Sequence, residues 1–128
     1  MATTLADTAA NTIYDWLYRG QAAASGSRYF ALYTNVSAGT EATGGGYTRQ
    51  DAITPLDSTP SAGDGANTAS VSFTVAAGTY DGVGIWDAAS AGTELVRWPL
   101  DASRTVGGGG GTITFNANDL MCKVDGSA

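Results

Sequence analysis

Between Tyr80 and Leu100 the chain reads YDGVGIWDAASAGTELVRWPL, a stretch that admits little except a β-hairpin. Val83 and Ile85 alternate with Gly82, Gly84 and Trp86, so the first arm has one apolar face and one face nearly stripped of side chains. Asp87 to Gly92 supplies turn residues, and Leu95 to Leu100 resumes an extended pattern that carries Trp98 and is expected to stop at Pro99. A glycine between Val83 and Ile85 lets an aromatic ring or another backbone lie close against the strand. Two of the three tryptophans stand on the two arms, which makes them a natural centre for a small core or an interface.

The same alternation recurs on both sides of the hairpin. Thr68 to Val75 is the clearest single strand, with Val71, Phe73 and Val75 facing one way and Ser70, Ser72 and Thr74 the other. Tyr29 to Tyr33 reads as a first strand through Phe30 and Leu32, and Tyr47 to Pro55 as a second extended segment. Asn35 to Gly46 between them reads as a loop, and Asp57 to Asn67 as a long exposed one. Ala102 to Val106 leads into five glycines at 107–111, expected to make a tight antiparallel connection. Thr112 to Asn116 points Ile113 and Phe115 inward, Leu120, Cys122 and Val124 close the sheet, and Asp125 to Ala128 is a polar tail.

Only residues 4–19 read as helix. Thr4 is the expected cap, with Asp7 three residues later as in a capping box and Gly20 as the closing residue. Leu5, Ala9, Ile13, Trp16 and Leu17 fall on one face, which is expected to pack on the sheet; Asp15 and Arg19 form an i,i+4 pair on the solvent side. Tyr14 and Tyr18 lie together on a different face, where they either touch a partner subunit or stand solvated. One helix followed by seven or eight short strands predicts a mainly β fold, an antiparallel β-sandwich of jelly-roll type. A single domain is expected over 1–128, with the helix at 4–19 and the sandwich over 28–124.

Charge and composition exclude several functions. Twelve acidic against six basic residues give a formal net charge of −6, and Arg19, Arg28, Arg49, Arg97, Arg104 and Lys123 occur singly, so nucleic acid and anionic membranes are not expected partners. MATTLADTAAN lacks the features of a signal peptide and no stretch is long enough to span a membrane, so the expectation is a protein made in a cytoplasm and remaining soluble. The sequence has no histidine, which removes the commonest general base and the commonest zinc ligand. A lone Cys122 in an apolar setting reads as an inert thiol. Any two of the twelve acids could meet as paired catalytic carboxylates; the candidates are Asp81, Asp87, Glu94 and Asp101 around the hairpin, and each also reads as a turn former or strand-edge charge. Asp57 with Asp64, or Asn116 with Asn118 and Asp119, could offer oxygen ligands to calcium but match no EF-hand spacing. No enzyme, metal or cofactor is expected.

RYFALYTNVSAGTEATGGGYTRQ at 28–50, GTYDGVGIWDAASAGTELVRWPL at 78–100 and SRTVGGGGGTITFNANDLMCKV at 103–124 together resemble a family of short bacteriophage virion proteins. These are called minor tail or tail-fibre proteins and include head-decoration (cement) proteins. Arg104 stands where a lysine is usual, and the glycine run is longer than the pattern. The resemblance implies a virion structural protein that works by binding other virion proteins. Its main reading is a capsid decoration protein on the capsid surface, a homotrimer that bridges and stabilises major capsid subunits. The alternative is a minor tail or tail-fibre component that touches a host receptor. Tyr14, Tyr18, Tyr47, Arg49, Asp87 and Arg104 are the expected interface residues, because aromatics and arginine dominate interface energetics. For Tyr47 and Arg49 a strand start with an exposed charge is an equally good reading.

Overall fold

A computed structural model of the chain describes residues 3–22 and 25–123. Among these, one helix and ten strands follow in the order β1 (Thr4–Leu5), α1 (Asp7–Arg19), β2 (Tyr29–Asn35), β3 (Thr40–Glu41), β4 (Gln50–Asp51), β5 (Asp64–Ala66), β6 (Val71–Val75), β7 (Gly78–Trp86), β8 (Glu94–Val106), β9 (Gly111–Phe115) and β10 (Met121–Lys123). Every pairing is antiparallel. A six-stranded sheet runs β1-β8-β7-β2-β3, with β4 also on β2, and two-stranded ribbons are formed by β6 with β9 and β5 with β10. The fold is mainly β and sandwich-like, as expected.

The core lies between the large sheet and the β6–β9 ribbon. Phe30, Leu32, Val83 and Ile85 of the sheet join Val71, Phe73, Val75, Ile113, Phe115 and Leu120 in one buried cluster. Alternation put them there: β6 buries Val71, Phe73 and Val75 and exposes Ser72 and Thr74. On the exposed face Ser72 and Thr114 share a hydrogen bond of 2.9 Å across the ribbon. Each fully buried large side chain contributes roughly 1.5–3 kcal/mol.

The opposite face of the sheet is closed by a different device. Gly82 and Gly84 leave a hollow on β7, and Val36 and Tyr33 fill it: a Cβ on Gly82 would collide with the Val36 side chain, and one on Gly84 would lie 2.8 Å from the Tyr33 ring. Ala31, Tyr33 and Val36 form the second buried cluster, with Trp86 against it. The two hairpin tryptophans therefore sit apart, since Trp98 packs on the main core.

That closure explains the largest departure from the sequence reading. The helix face of Leu5, Ala9, Ile13, Trp16 and Leu17 does not pack on the sheet; α1 has no buried residue. Its expected site is already occupied by Val36, Tyr33 and Trp86. The helix also begins later, because Thr4 and Leu5 pair with Arg97 and Val96 of β8 and the Ala6 N–H donates to Leu95. A residue committed to a ladder cannot cap, and the cap position falls to Ala6, which offers no side-chain bond. The C-terminal end is as expected: Gly20 is left-handed at φ 66°, and the Gln21 N–H reaches the Asp15 carbonyl at 3.0 Å.

Other boundaries shift for local reasons. Pro99 does not end β8, which continues to Val106. Past Arg97 its outer edge has no partner among the described strands, and an edge tolerates a missing N–H. The glycine run makes a corner between two sheets rather than a hairpin, since β8 pairs with β7 and β9 with β6. Gly109 and Gly110 take φ 90° and 79° there. The presumed loops at 35–46 and 57–67 contain β3 and β5, whereas only Gln50–Asp51 of the 47–55 segment is strand. Asn67, at the end of the second loop, is fully buried: its side chain accepts from the Leu120 N–H and donates to the Ala69 and Asn116 carbonyls, all at 2.9 Å. Val124 and the tail after it lie outside the described residues.

Candidate interaction surfaces

Residues 87–93, the tip of the β7–β8 hairpin, are braced from below by one arginine. Arg49 Nη1 donates to the Ala88 and Ala91 carbonyls at 2.9 and 2.7 Å, and its guanidinium lies 3.8 Å over the Trp86 ring. Its Nε and Nη2 grip the two Glu41 oxygens at 2.8 Å each. Only 7% of the side chain is exposed. Asp87 closes the tip from within, its Oδ1 accepting the Thr93 N–H at 2.7 Å.

The brace extends through Tyr47 and Tyr33. Tyr47 donates to Glu41 at 2.7 Å and accepts the Leu32 N–H at 3.0 Å, filling the gap that β3 and β4 leave on the edge of β2. On the other side Trp86 Nε1 donates to Tyr33 at 2.8 Å, Tyr33 donates to Glu94 at 2.7 Å, and Glu94 pairs with Arg97. Arg97 Nε in turn holds the Val36 carbonyl at 2.8 Å. Burial first, and then the hydrogen bond to Glu94, holds the Tyr33 phenol well above its ordinary pKa; burial dominates for Tyr47, reinforced by Glu41. The Glu41 carboxylate keeps Arg49 still more firmly charged than usual.

Of the residues expected to touch a partner, Tyr47 and Arg49 thus turn inward. Asp87 is exposed but engaged in its own turn. Arg104 ties β8 to β9, donating to the Thr114 carbonyl at 2.6 Å and lying 4.3 Å over the Phe115 ring, with Asp119 at 3.6 Å. Beside it is a hollow of about 300 Å³ bordered by Leu100, Asp101, Phe115 and Asp119.

The second surface is α1. Ile13, Tyr14, Trp16, Leu17 and Tyr18 are exposed by between 39% and 73%, and the two tyrosine rings lean on each other at 5.2 Å. Tyr14 and Tyr18 were expected on a surface; Ile13, Trp16 and Leu17 were assigned to the core. The missed signal is density, since five of the six positions 13–18 are large and apolar, too wide a band for one sheet contact. Behind the band Asp15 and Arg19 pair at 2.8 Å.

Asp81 accepts the Val36 N–H at 2.9 Å, Asp87 the Thr93 N–H, and Glu94 is shared by Tyr33 and Arg97. Of the calcium candidates, Asp57 closes a turn on Thr59 at 2.8 Å, and Asp119 another on Asn116 at 2.9 Å. Among the described residues no group of three or more Asp, Glu, Cys or His side chains is placed to hold a metal ion. Cys122 is half-buried, and burial pushes its thiol up to about 11.

A family described as "Podophage GP4 fiber I protein gp80" matches residues 4–123, from β1 through β10. No curated protein matches the chain. The match makes this a phage virion structural protein and agrees with the tail-fibre alternative, leaving capsid decoration, the capsid-surface location and the homotrimer without support. With most of its length matched, the chain belongs to the Podophage GP4 fiber I protein gp80 family.

Proposed function

We propose that this protein is a fibre component of a podophage tail, and that it acts by binding other virion proteins rather than by catalysis. The observation that carries the reading is α1, which has no buried residue and whose large side chains Ile13, Tyr14, Trp16, Leu17 and Tyr18 face outward. The fibre family supports the tail over the head. The braced hairpin tip supports a rigid mount, because Arg49 holds it by two carbonyls and an aromatic face at once. In this reading α1 faces the assembly and the sandwich stands away from it, able to meet a host surface.

Gold-labelled antibody on intact particles, viewed by electron microscopy, tests the reading. Label confined to the tail fibres is the expected result. Label spread evenly over the head would overturn it and restore capsid decoration.

A further inference from the structure

We propose that the hollow beside Arg104 is a saccharide-binding site whose ligand is a neutral sugar carrying vicinal hydroxyls. That this sugar belongs to a host-surface polysaccharide rests on the fibre reading; the site itself does not.

An irregularity in the sheet makes the site. β7 and β8 pair Gly82 with Pro99 and Tyr80 with Arg104, so Asp81 alone stands opposite the stretch from Leu100 to Ser103. A bulge of that size pushes the strand out of its ladder and re-aims its side chains, and bulges gather next to functional sites. Here Asp101, Ala102 and Ser103 are exposed, while Leu100 is half-buried against the core. These residues border the hollow of about 300 Å³ on one side, with Arg104, Phe115 and Asp119 on the other. That volume lies at the lower end of the range for small-ligand pockets, about 300–1,000 Å³.

The polar groups around it are partly fixed and partly free. Arg104 Nη1 donates to the Thr114 carbonyl at 2.6 Å, and the guanidinium lies 4.3 Å over the Phe115 ring. Asp119 stands 3.6 Å from Nη2, beyond hydrogen-bond length, so the fork is held in place with N–H donors to spare. Asp119 Oδ2 accepts the Asn116 N–H at 2.9 Å, and its side chain is still 38% open to solvent. The Asp101 carboxylate and the Ser103 hydroxyl have no hydrogen-bond partner among the described residues. The hollow therefore offers one guanidinium, two carboxylates and one hydroxyl above an apolar base of Leu100 and Phe115.

That set selects its ligand. A phosphate or sulfate would meet two carboxylates for a single guanidinium, on a chain of formal net charge −6. A metal ion would meet the Arg104 charge, and among the described residues no three acids converge. A neutral sugar fits both halves of the set. Each of its hydroxyls can donate to a carboxylate and accept from the guanidinium, two adjacent ones match the paired oxygens of Asp101 or the fork of Arg104, and the ring C–H groups rest on the apolar base. A rigid ring also loses little conformational freedom on binding.

The test is a nuclear magnetic resonance titration of the isotope-labelled full chain. The probes are the methyl glycosides of glucose, galactose, mannose and rhamnose, with sodium glucuronate as the charged comparison. We expect at least one neutral glycoside to shift the backbone amides of residues 101–104 and 119 saturably, at about millimolar concentration. Asp101→Asn should weaken that binding about tenfold and leave the rest of the spectrum in place, because Asp101 supports no other group. Ser103→Ala should weaken it less. No saturable shift with any of the four, shifts confined to another part of the chain, undiminished binding by Asp101→Asn, or tighter binding of glucuronate would each overturn the proposal. Sugar binding by a protein that antibody finds on the head would sink the fibre reading and leave the site standing; fibre labelling without sugar binding would do the reverse.

Discussion

Arg49 illustrates how much of this molecule depends on single side chains reaching across long stretches of sequence. Its contacts are the two Glu41 oxygens, the carbonyls of Ala88 and Ala91, and the face of Trp86. Arg49→Ala strands a mostly covered carboxylate and frees the hairpin tip; the expected loss is about 3 kcal/mol in urea unfolding, with faster amide exchange over 88–92. Arg49→Lys should recover little, because an ammonium cannot reproduce the two-pronged grip or the ring contact. The buried tyrosines make a separate prediction. Because folding raises the Tyr33 and Tyr47 phenols above their ordinary value near 10, their contribution is fully present below pH 10 and is lost as pH climbs through the folded values. An ultraviolet titration should therefore show Tyr33 and Tyr47 ionising only together with alkaline unfolding. None of these partnerships was legible in the sequence, because Tyr33 meets Glu94 at a separation of 61 residues and Trp86 at 53. Arg49 next to a glycine run reads equally well as an exposed charge.

At the scale of elements, period-two alternation was legible wherever one face of a strand is buried, as in Val71–Val75 and Thr112–Phe115. Alternation fails for β2, where Phe30, Ala31, Leu32 and Tyr33 are all fully buried because both faces of that strand are covered. The function of Gly84 as a seat for an aromatic ring could be anticipated, but the ring could not be identified. Gly84→Ala tests it: a Cβ there would lie 2.7 Å from the Val96 carbonyl and 2.8 Å from Tyr33. Overpacking of that kind is expected to cost about 1–3 kcal/mol, read as a lowered thermal midpoint, and to weaken the Tyr33–Trp86 bond. The helix was misread for a physical reason. Amphipathic spacing states that a face is apolar but not what covers it, and here Val36, Tyr33 and Trp86 had already closed the sheet.

For the whole molecule, the sandwich carries an exposed helix joined to it through a two-residue strand on β8, and the family places it among phage fibre proteins. The core buries Phe30, Phe73 and Phe115 completely or nearly so and leaves Trp16 and Tyr18 in solvent. On the proposed reading, α1 is covered in the assembly. Hydroxyl-radical footprinting of the intact particle, compared with dilute free protein, tests it most directly. Tyr14, Trp16 and Tyr18 should be oxidised rapidly in the free chain and protected severalfold in the particle. Equal oxidation of the three in both states would contradict the account, since the helix would then face solvent even in the virion.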